Sequence, residues 1–105
     1  MIKTPSKLIL GTWQFGADVW ANTNDKDSIQ TVHKAIDCGI TAFDTAIAYG
    51  NGKSEKTLGN ALKSIKRDSI QIYTKVTADM LRPEDVIKSC NRSLSNLNID
   101  YLDLY

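Results

Sequence analysis

The chain has 105 residues, of which 42% are hydrophobic and 24% are charged, as in an ordinary globular protein. Thirteen Lys and Arg residues oppose twelve Asp and Glu residues, and this net charge of +1 argues against nucleic acid or a charged membrane surface as a partner. The sequence has neither an 18-residue apolar run nor an apolar secretory core after Met1, which predicts a cytosolic protein without a transmembrane helix. Cys38 and Cys90 show no CxxC or His-rich spacing, so we expect neither a disulfide framework nor a bound metal.

The hydrophobic pattern alternates between strands and helices along the whole chain. Short apolar runs predict strands over residues 7–11, 40–44, 70–76 and 101–105. Between them, apolar residues recur every three or four positions, which predicts three amphipathic helices. Their apolar stripes are Ile29, Val32 and Ile36; then Leu58, Ala61, Leu62 and Ile65; then Val86, Ile87, Cys90, Leu94 and Leu97.

Capping residues mark the ends of these helices. Asp25 or Asp27 can cap the first helix, and Gly39 is placed to end it in the left-handed conformation. Ser54 is expected to cap the second helix. Pro83 stands in the first turn of the third helix, where its missing N–H costs nothing.

The order β-α-β-α-β-α-β lacks hairpin signals and therefore implies parallel strands joined by right-handed crossovers. Two architectures fit, an open doubly wound sheet and the first half of a (β/α)8 barrel. Gly11-Thr12-Trp13 follows the first strand, and neither GxGxxG nor GxxxxGK[ST] is present. An unrelated doubly wound binding module would need such a phosphate-binding loop.

Three residues at predicted strand ends form a candidate catalytic group, because parallel α/β folds place reactive residues there. Asp44 ends the second strand, Tyr49 lies in the Gly-rich loop that follows, and Lys75 ends the third strand. Taken singly, Asp44 is explained equally well as a turn cap, whereas a surface or packing aromatic and a solvated lysine are the commoner explanations for Tyr49 and Lys75. Taken together they have a chemical logic. An ammonium lowers the pKa of a neighbouring phenol from about 10, and a carboxylate holds that ammonium in place. The three residues therefore predict a tyrosine that acts as a general acid.

The two tryptophans and the only histidine are the remaining candidates. Trp13 follows the first strand, a position that favours contact with a flat ligand. Trp20 lies in a polar loop, where lining a pocket and packing on the surface are equally good explanations. His33 belongs to the first helix, far from the strand ends, and is expected to be a half-exposed helix residue.

Several stretches of the chain closely resemble the signature of one known family, the aldo-keto reductases. They are Leu10-Gly11-Thr12-Trp13, Gly39-Ile40-Thr41-Ala42-Phe43-Asp44-Thr45-Ala46, Tyr49-Gly50, Ser54-Glu55, Leu58-Gly59-Asn60-Ala61-Leu62, Tyr73-Thr74-Lys75-Val76 and Tyr101-Leu102-Asp103-Leu104-Tyr105. The long second-strand motif is highly specific, whereas the others would be weak alone. The resemblance runs through essentially the whole chain.

The resemblance implies a (β/α)8 barrel that reduces aldehydes or ketones with a nicotinamide cofactor, and it favours NADP(H) over NAD(H). By the family pattern, Tyr49 donates the proton, Lys75 lowers its pKa, and Asp44 pairs with Lys75 and approaches the nicotinamide ribose. Gly11, Thr12 and Trp13 would line the nicotinamide. The implied substrate contacts are Trp13, Trp20 and Tyr49.

The chain also departs from the family pattern. The usual N-terminal hairpin hardly fits into Met1 to Lys7, and the family's catalytic His is expected about three residues past Tyr105. A complete barrel needs about 250 residues. We therefore expect residues 1–105 to be the N-terminal part of one incomplete barrel domain, about the first three and a half βα units.

Such a truncated chain is expected to be inactive by itself and to self-associate through its open edges. The alternative is a non-catalytic half-barrel remnant, or a regulatory or assembly subunit on the same fold.

Overall fold

A computed structural model describes residues 4–105, so the start of the segment into which the family's N-terminal hairpin hardly fits lies outside the described residues. The strands are β1 (Ile9–Gly11), β2 (Ala42–Asp44) and β3 (Gln71–Tyr73). The helices are α1 (Asp25–Asp37), α2 (Lys53–Leu62) and α3 (Pro83–Leu97), with 3-10 helices over Trp13–Gly16 and Arg67–Ser69. The predicted alternation is confirmed, although each strand is shorter than predicted.

The three strands form one parallel sheet in the order β1-β2-β3. In its register, Gly11 lies opposite Asp44, and Asp44 lies opposite Tyr73. The predicted strand over residues 101–105 is reduced to one parallel bridge between Tyr73 and Leu104. That prediction was therefore wrong in extent, because the Asp103 carboxylate accepts a hydrogen bond from the Ile72 N–H at 2.9 Å, in place of a backbone carbonyl that would extend the pairing.

The Tyr73–Leu104 bridge nevertheless distinguishes the two architectures. It places the segment after α3 beside β3, so the strand order continues 1-2-3-4. A doubly wound sheet would return the chain past β1 instead. The fold is therefore part of a (β/α)8 barrel, in which each new strand pairs with the one before it.

The core lies between the sheet and the helices. Phe43 and Ile72, from the middle of β2 and β3, are fully buried, and each helix packs at least one large apolar side chain against them that is almost or fully inaccessible. Those side chains are Val32, Leu58 and Leu97. Full burial of one such side chain stabilises a fold by about 1.5–3 kcal/mol, so this contact holds the helices in place over the strands.

The first helix is capped by Asn24, not by Asp25 or Asp27 as predicted. The Asn24 backbone is extended, and its side-chain oxygen accepts a hydrogen bond from the Asp27 N–H at 2.9 Å. Both aspartates lie inside the first turn, where their negative charge interacts favourably with the positive end of the helix dipole. Gly39 has a φ of 86°, which confirms its left-handed conformation.

The second helix also begins differently from the prediction. It starts at Lys53 and its N-cap is Gly52, which has a φ of 91°. Ser54 therefore lies inside the helix, and its hydroxyl group bonds residues of other elements.

The buried face of α3 is only partly the predicted apolar stripe. Pro83 occupies the first turn as predicted, but the Ile87 side chain is 62% exposed. The buried residues are Ser89, Ser93 and Leu97. The reason is close packing against α2, since a Cβ atom built on Gly59 would lie 2.4 Å from the Leu97 carbonyl oxygen. Small side chains let the two helices approach this closely.

Candidate active site

The carboxyl ends of the strands bring the predicted site residues to one edge of the sheet. The Thr12 N–H donates to the Asp44 carbonyl at 3.0 Å, and the Thr45 N–H donates to the Tyr73 carbonyl at 2.9 Å. These bonds continue the strand pairing by one residue. They therefore align the residues that follow β1, β2 and β3.

Lys75 and Asp44 form the central contact of this edge. The Lys75 Nζ donates to Asp44 Oδ2 at 2.7 Å and to the Thr45 carbonyl oxygen at 2.8 Å. The two side chains are 48% and 37% exposed, so solvent screens the pair and its effect on stability is small. Its significance is geometric, because two acceptors fix the position of one ammonium group.

Tyr49 lies against the same ammonium group. The Lys75 Nζ is 5.3 Å from the centroid of the Tyr49 ring, and the tyrosine is half-buried. The structure thus brings together Asp44, Tyr49 and Lys75, three residues that the sequence places on two strand ends and one loop.

The loop that carries Tyr49 is held by a close backbone contact that the sequence did not reveal. A Cβ atom built on Gly16 would lie 2.6 Å from the Gly50 backbone nitrogen, and Gly50 has a φ of 63°. The Gly50 N–H also donates to Asp18 Oδ2 at 3.1 Å. The glycines alone signalled a turn, but nothing in the spacing indicated that Gly16 and Gly50 meet.

An open aromatic surface adjoins these polar groups. The Trp13 ring lies 5.7 Å from the Trp20 ring in an edge-to-face arrangement and 6.2 Å from the Tyr49 ring. Trp13 is 47% exposed and Trp20 is 43% exposed. Trp20 therefore packs on Trp13, while parts of both rings can still contact a ligand.

Beneath this surface lies a buried cluster of hydroxyl groups centred on Ser54. The Ser54 hydroxyl donates to the Thr12 carbonyl oxygen at 2.7 Å, and it lies 2.9 Å from Thr12 Oγ1 and 3.0 Å from Thr45 Oγ1. Thr12 Oγ1 also bonds the Asp44 carbonyl oxygen at 3.1 Å. All of these hydroxyls are inaccessible to solvent. Their hydrogen bonds join the first turn of α2 to the ends of β1 and β2.

Whether a nicotinamide cofactor fits can be tested on the exposed residues of the same edge. A Cβ atom built on Gly11 has no neighbour within 4 Å, which leaves open space above the end of β1. Trp13 offers a flat apolar face. The Asp44 carboxylate is partly exposed and could accept from a ribose hydroxyl. These residues fit such a group. The Thr12 side chain is fully buried, and its expected contact with the nicotinamide stays a prediction.

The other predicted features lie away from this edge. His33 is exposed on α1, and its Nε2 lies 2.8 Å from the Ala61 carbonyl oxygen at the end of α2. Among residues 4–105, no three His, Cys, Asp or Glu side chains are grouped so that they could hold a metal ion. No helix in the described part of the chain is long and apolar enough to cross a bilayer.

The chain is part of a (β/α)8 barrel, and Asp44, Tyr49 and Lys75 are grouped at the carboxyl ends of its strands. Enzymes with this fold carry their active sites at that edge. The chain belongs to the aldo/keto reductase family, whose family model matches residues 7–105. The resemblance seen in the sequence is thereby confirmed.

Curated relatives agree with this assignment. The chain is 39% identical over 109 residues to the aldo-keto reductase YhdN of Bacillus subtilis, a match that covers 95% of this chain and 33% of the relative. It is 36% identical over 95 residues to the methylglyoxal reductase YeaE of Escherichia coli, with 90% of this chain and 32% of the relative covered. An NADH-specific methylglyoxal reductase of E. coli is 34% identical over 122 residues, with coverages of 97% and 37%.

Solved structures share the fold. A thermostable aldo-keto reductase, Tm1743, bound to the inhibitor epalrestat superposes with a TM-score of 0.82 at 30% identity, covering 97% of this chain and 40% of the other. An aldo-keto reductase of Klebsiella pneumoniae in complex with NADPH gives a TM-score of 0.82 at 32% identity, with coverages of 92% and 33%. The chain thus spans about a third of the length of the curated relatives it matches.

Proposed function

We propose that this chain supplies the proton-donating part of a nicotinamide-dependent carbonyl reductase, with Tyr49 as the proton donor. The observation that carries the proposal is the position of the Lys75 ammonium. Its Nζ bonds Asp44 and the Thr45 carbonyl and lies 5.3 Å from the Tyr49 ring centroid.

The chemistry of the three residues follows from their charges. An ammonium beside a phenol favours the ionised phenol, which therefore gives up its proton more readily. Tyr49 would pass that proton to the carbonyl oxygen of the substrate as negative charge develops there. Asp44 would keep the ammonium charged and in place.

The proposed cofactor is NADP(H) in preference to NAD(H). A similar structure holds NADPH, although one similar enzyme is described as NADH-specific. When bound, the reduced nicotinamide supplies the hydride for the carbonyl carbon. Gly11 and Trp13 would then contact its ring, and Asp44 would bond its ribose.

The proposed substrates are small aldehydes and ketones. Two of the similar enzymes are named methylglyoxal reductases. The exposed faces of Trp13 and Trp20 would bound the substrate beside the Tyr49 hydroxyl. A cytosolic location belongs to the same proposal. So does the absence of nucleic-acid or membrane partners, which is supported by the near-neutral charge.

A reduction assay tests this function. The full-length protein that contains these residues is mixed with NADPH or NADH and a panel of small aldehydes. Turnover is followed as the decrease in the near-ultraviolet absorbance of the reduced nicotinamide. We expect turnover that Tyr49→Phe lowers by about 10²- to 10⁴-fold, the usual contribution of a general acid, while the cofactor dissociation constant stays nearly unchanged. Cofactor binding without any turnover would contradict the proposal and would favour a non-catalytic role on the same fold.

A further inference from the structure

Two consecutive polar side chains in the first turn of α2, Ser54 and Glu55, are fully inaccessible. Ser54 holds the ends of β1 and β2 through the hydroxyl cluster. Glu55 takes no part in the proposed proton transfer. Burial of a carboxyl group lowers the stability of the folded state unless both of its oxygens are hydrogen-bonded.

Both oxygens of Glu55 have a donor. Oε1 accepts from the Thr74 hydroxyl at 2.7 Å, and Oε2 accepts from the Asn96 side-chain amide at 2.8 Å. Glu55 therefore links α2 to the end of β3 on one side and to α3 on the other. Thr74 is itself buried, so this link is shielded from water.

Thr74 immediately precedes Lys75. The Thr74 hydroxyl reaches down to Glu55, whereas the Lys75 side chain reaches the open edge and Asp44. The backbone at this point has one further hydrogen bond, from the Thr74 N–H to the Leu104 carbonyl at 3.2 Å. The lysine stem is flexible, but Nζ can make its 2.7 and 2.8 Å bonds to two fixed acceptors at once only while the backbone of Lys75 stays in place.

We infer that Glu55 is a positioning residue for Lys75, and that it acts through the Thr74 hydroxyl. By fixing the end of β3 it holds the Lys75 ammonium between Asp44, the Thr45 carbonyl and the Tyr49 ring. The catalytic consequence of this inference rests on the proposed function. Its structural consequence does not.

The structural consequence is tested by the chemical reactivity of lysine amines. Thr74→Val keeps the shape of the side chain and removes the donor to Glu55, whereas Thr74→Ser retains that donor. The full-length variants are treated with limiting acetic anhydride, and acetylation of Lys75 is quantified by mass spectrometry relative to the exposed Lys88. We expect Lys75 to react roughly two- to fivefold faster in Thr74→Val, and at the wild-type rate in Thr74→Ser.

A second variant distinguishes an effect that depends on the Thr74–Glu55 hydrogen bond from an effect that follows the loss of any hydrogen bond to Glu55. Asn96→Ala removes the other donor to Glu55 and leaves the bond to Thr74, so Lys75 should react as in the wild type. Urea unfolding of each variant shows that it is folded under the labelling conditions. Unchanged Lys75 reactivity in folded Thr74→Val, or an equal rise in Asn96→Ala, would overturn the inference.

Kinetics test the catalytic consequence. With the Lys75 ammonium displaced, kcat should fall by about ten- to a hundredfold in Thr74→Val at a nearly unchanged KM, and Thr74→Ser should restore it. A wild-type protein that turns over no carbonyl substrate would refute the proposed function and leave the labelling result as an independent test. An active Thr74→Val variant with wild-type kcat would refute the positioning role alone.

Discussion

The Nζ atom of Lys75 lies 2.7 Å from Oδ2 of Asp44, although 31 residues separate them in the sequence. Their proximity follows from the parallel register, in which Asp44 lies opposite Tyr73, two residues before Lys75. The site therefore depends on the pairing of β2 with β3 as much as on the residues themselves.

Removal of the Lys75 charge should affect turnover more than binding. In the full-length protein, Lys75→Met keeps most of the stem and removes the ammonium beside Tyr49. We expect kcat to fall by about 10²- to 10⁴-fold, because the proposed proton transfer from Tyr49 loses the positive charge that lies beside its ring. Lys53→Met is a matched control, since Lys53 pairs with Asp25 at 3.6 Å outside the site. Similar losses in both variants would argue against a specific role for Lys75.

Gly16→Ala should destabilise the fold, whereas Gly11→Ala should not. The new methyl group at position 16 would lie 2.6 Å from the Gly50 backbone nitrogen, but at position 11 it meets nothing within 4 Å. We expect a loss of about 1–3 kcal/mol in the free energy of unfolding for Gly16→Ala and within about 0.5 kcal/mol of zero for Gly11→Ala. Urea unfolding measures both, and equal stabilities would show that the Gly16–Gly50 contact relaxes freely.

Ser54→Ala should be much more harmful than an ordinary serine substitution. It leaves the Thr12 carbonyl oxygen without its 2.7 Å donor and the Thr45 hydroxyl without its partner, both in a buried setting. The expected loss in unfolding free energy is about 1–3 kcal/mol. Ser64→Ala, at an exposed position just after α2, should change stability by less than about 0.5 kcal/mol. A Ser54→Ala variant as stable as Ser64→Ala would contradict the role of the hydroxyl cluster.

Stability should decline at alkaline pH, in part because of Tyr73. Burial raises the pKa of Tyr73, and the negative charge of Asp103 raises it further. Since the folded state holds the phenol proton more tightly, this contribution is complete below pH about 10 and is lost as the pH rises through the raised pKa. Burial raises the pKa of Tyr105 as well, so it acts in the same direction.

Tyr73→Phe tests this pH dependence. The variant should lose less unfolding free energy than the wild type between pH 9 and about pH 11.5, measured by urea unfolding at each pH. An identical slope in the two proteins would show that Tyr73 does not contribute.

The 105 residues expressed alone should not reduce carbonyls and should self-associate. Leu8 and Leu104 are 68% and 61% exposed at the two sides of the sheet, where unpaired strand edges invite pairing with another chain. Sedimentation velocity and an NADPH oxidation assay on this chain provide the measurement. A dispersed monomer, or steady turnover of aldehydes, would refute the corresponding half of the prediction.

Much of the fold can be predicted from local patterns in the sequence. The alternation of strands and helices predicts the parallel sheet, and the sheet then brings Asp44 and Lys75 to one edge. The sequence predicts Ser54 as a helix cap because a serine hydroxyl can serve either purpose, and only the tertiary contact with Thr12 decides between them. The Gly16–Gly50 contact and the bond from Thr74 to Glu55 join segments distant in sequence, so no periodicity could reveal them.

The cluster around Ser54 also has a consequence for the order of folding. Its bonds to Thr12 span 42 residues and close only after the first crossover, from β1 through α1 to β2, is complete and α2 has docked. Local structure in α1, α2 and α3 can form on the way to the transition state, but these long-range bonds carry a large loop-closure entropy. Variants at Ser54 should therefore accelerate unfolding and leave the refolding rate nearly unchanged. The carboxyl edge of the sheet would then be the last part of the fold to become ordered and the first to be lost.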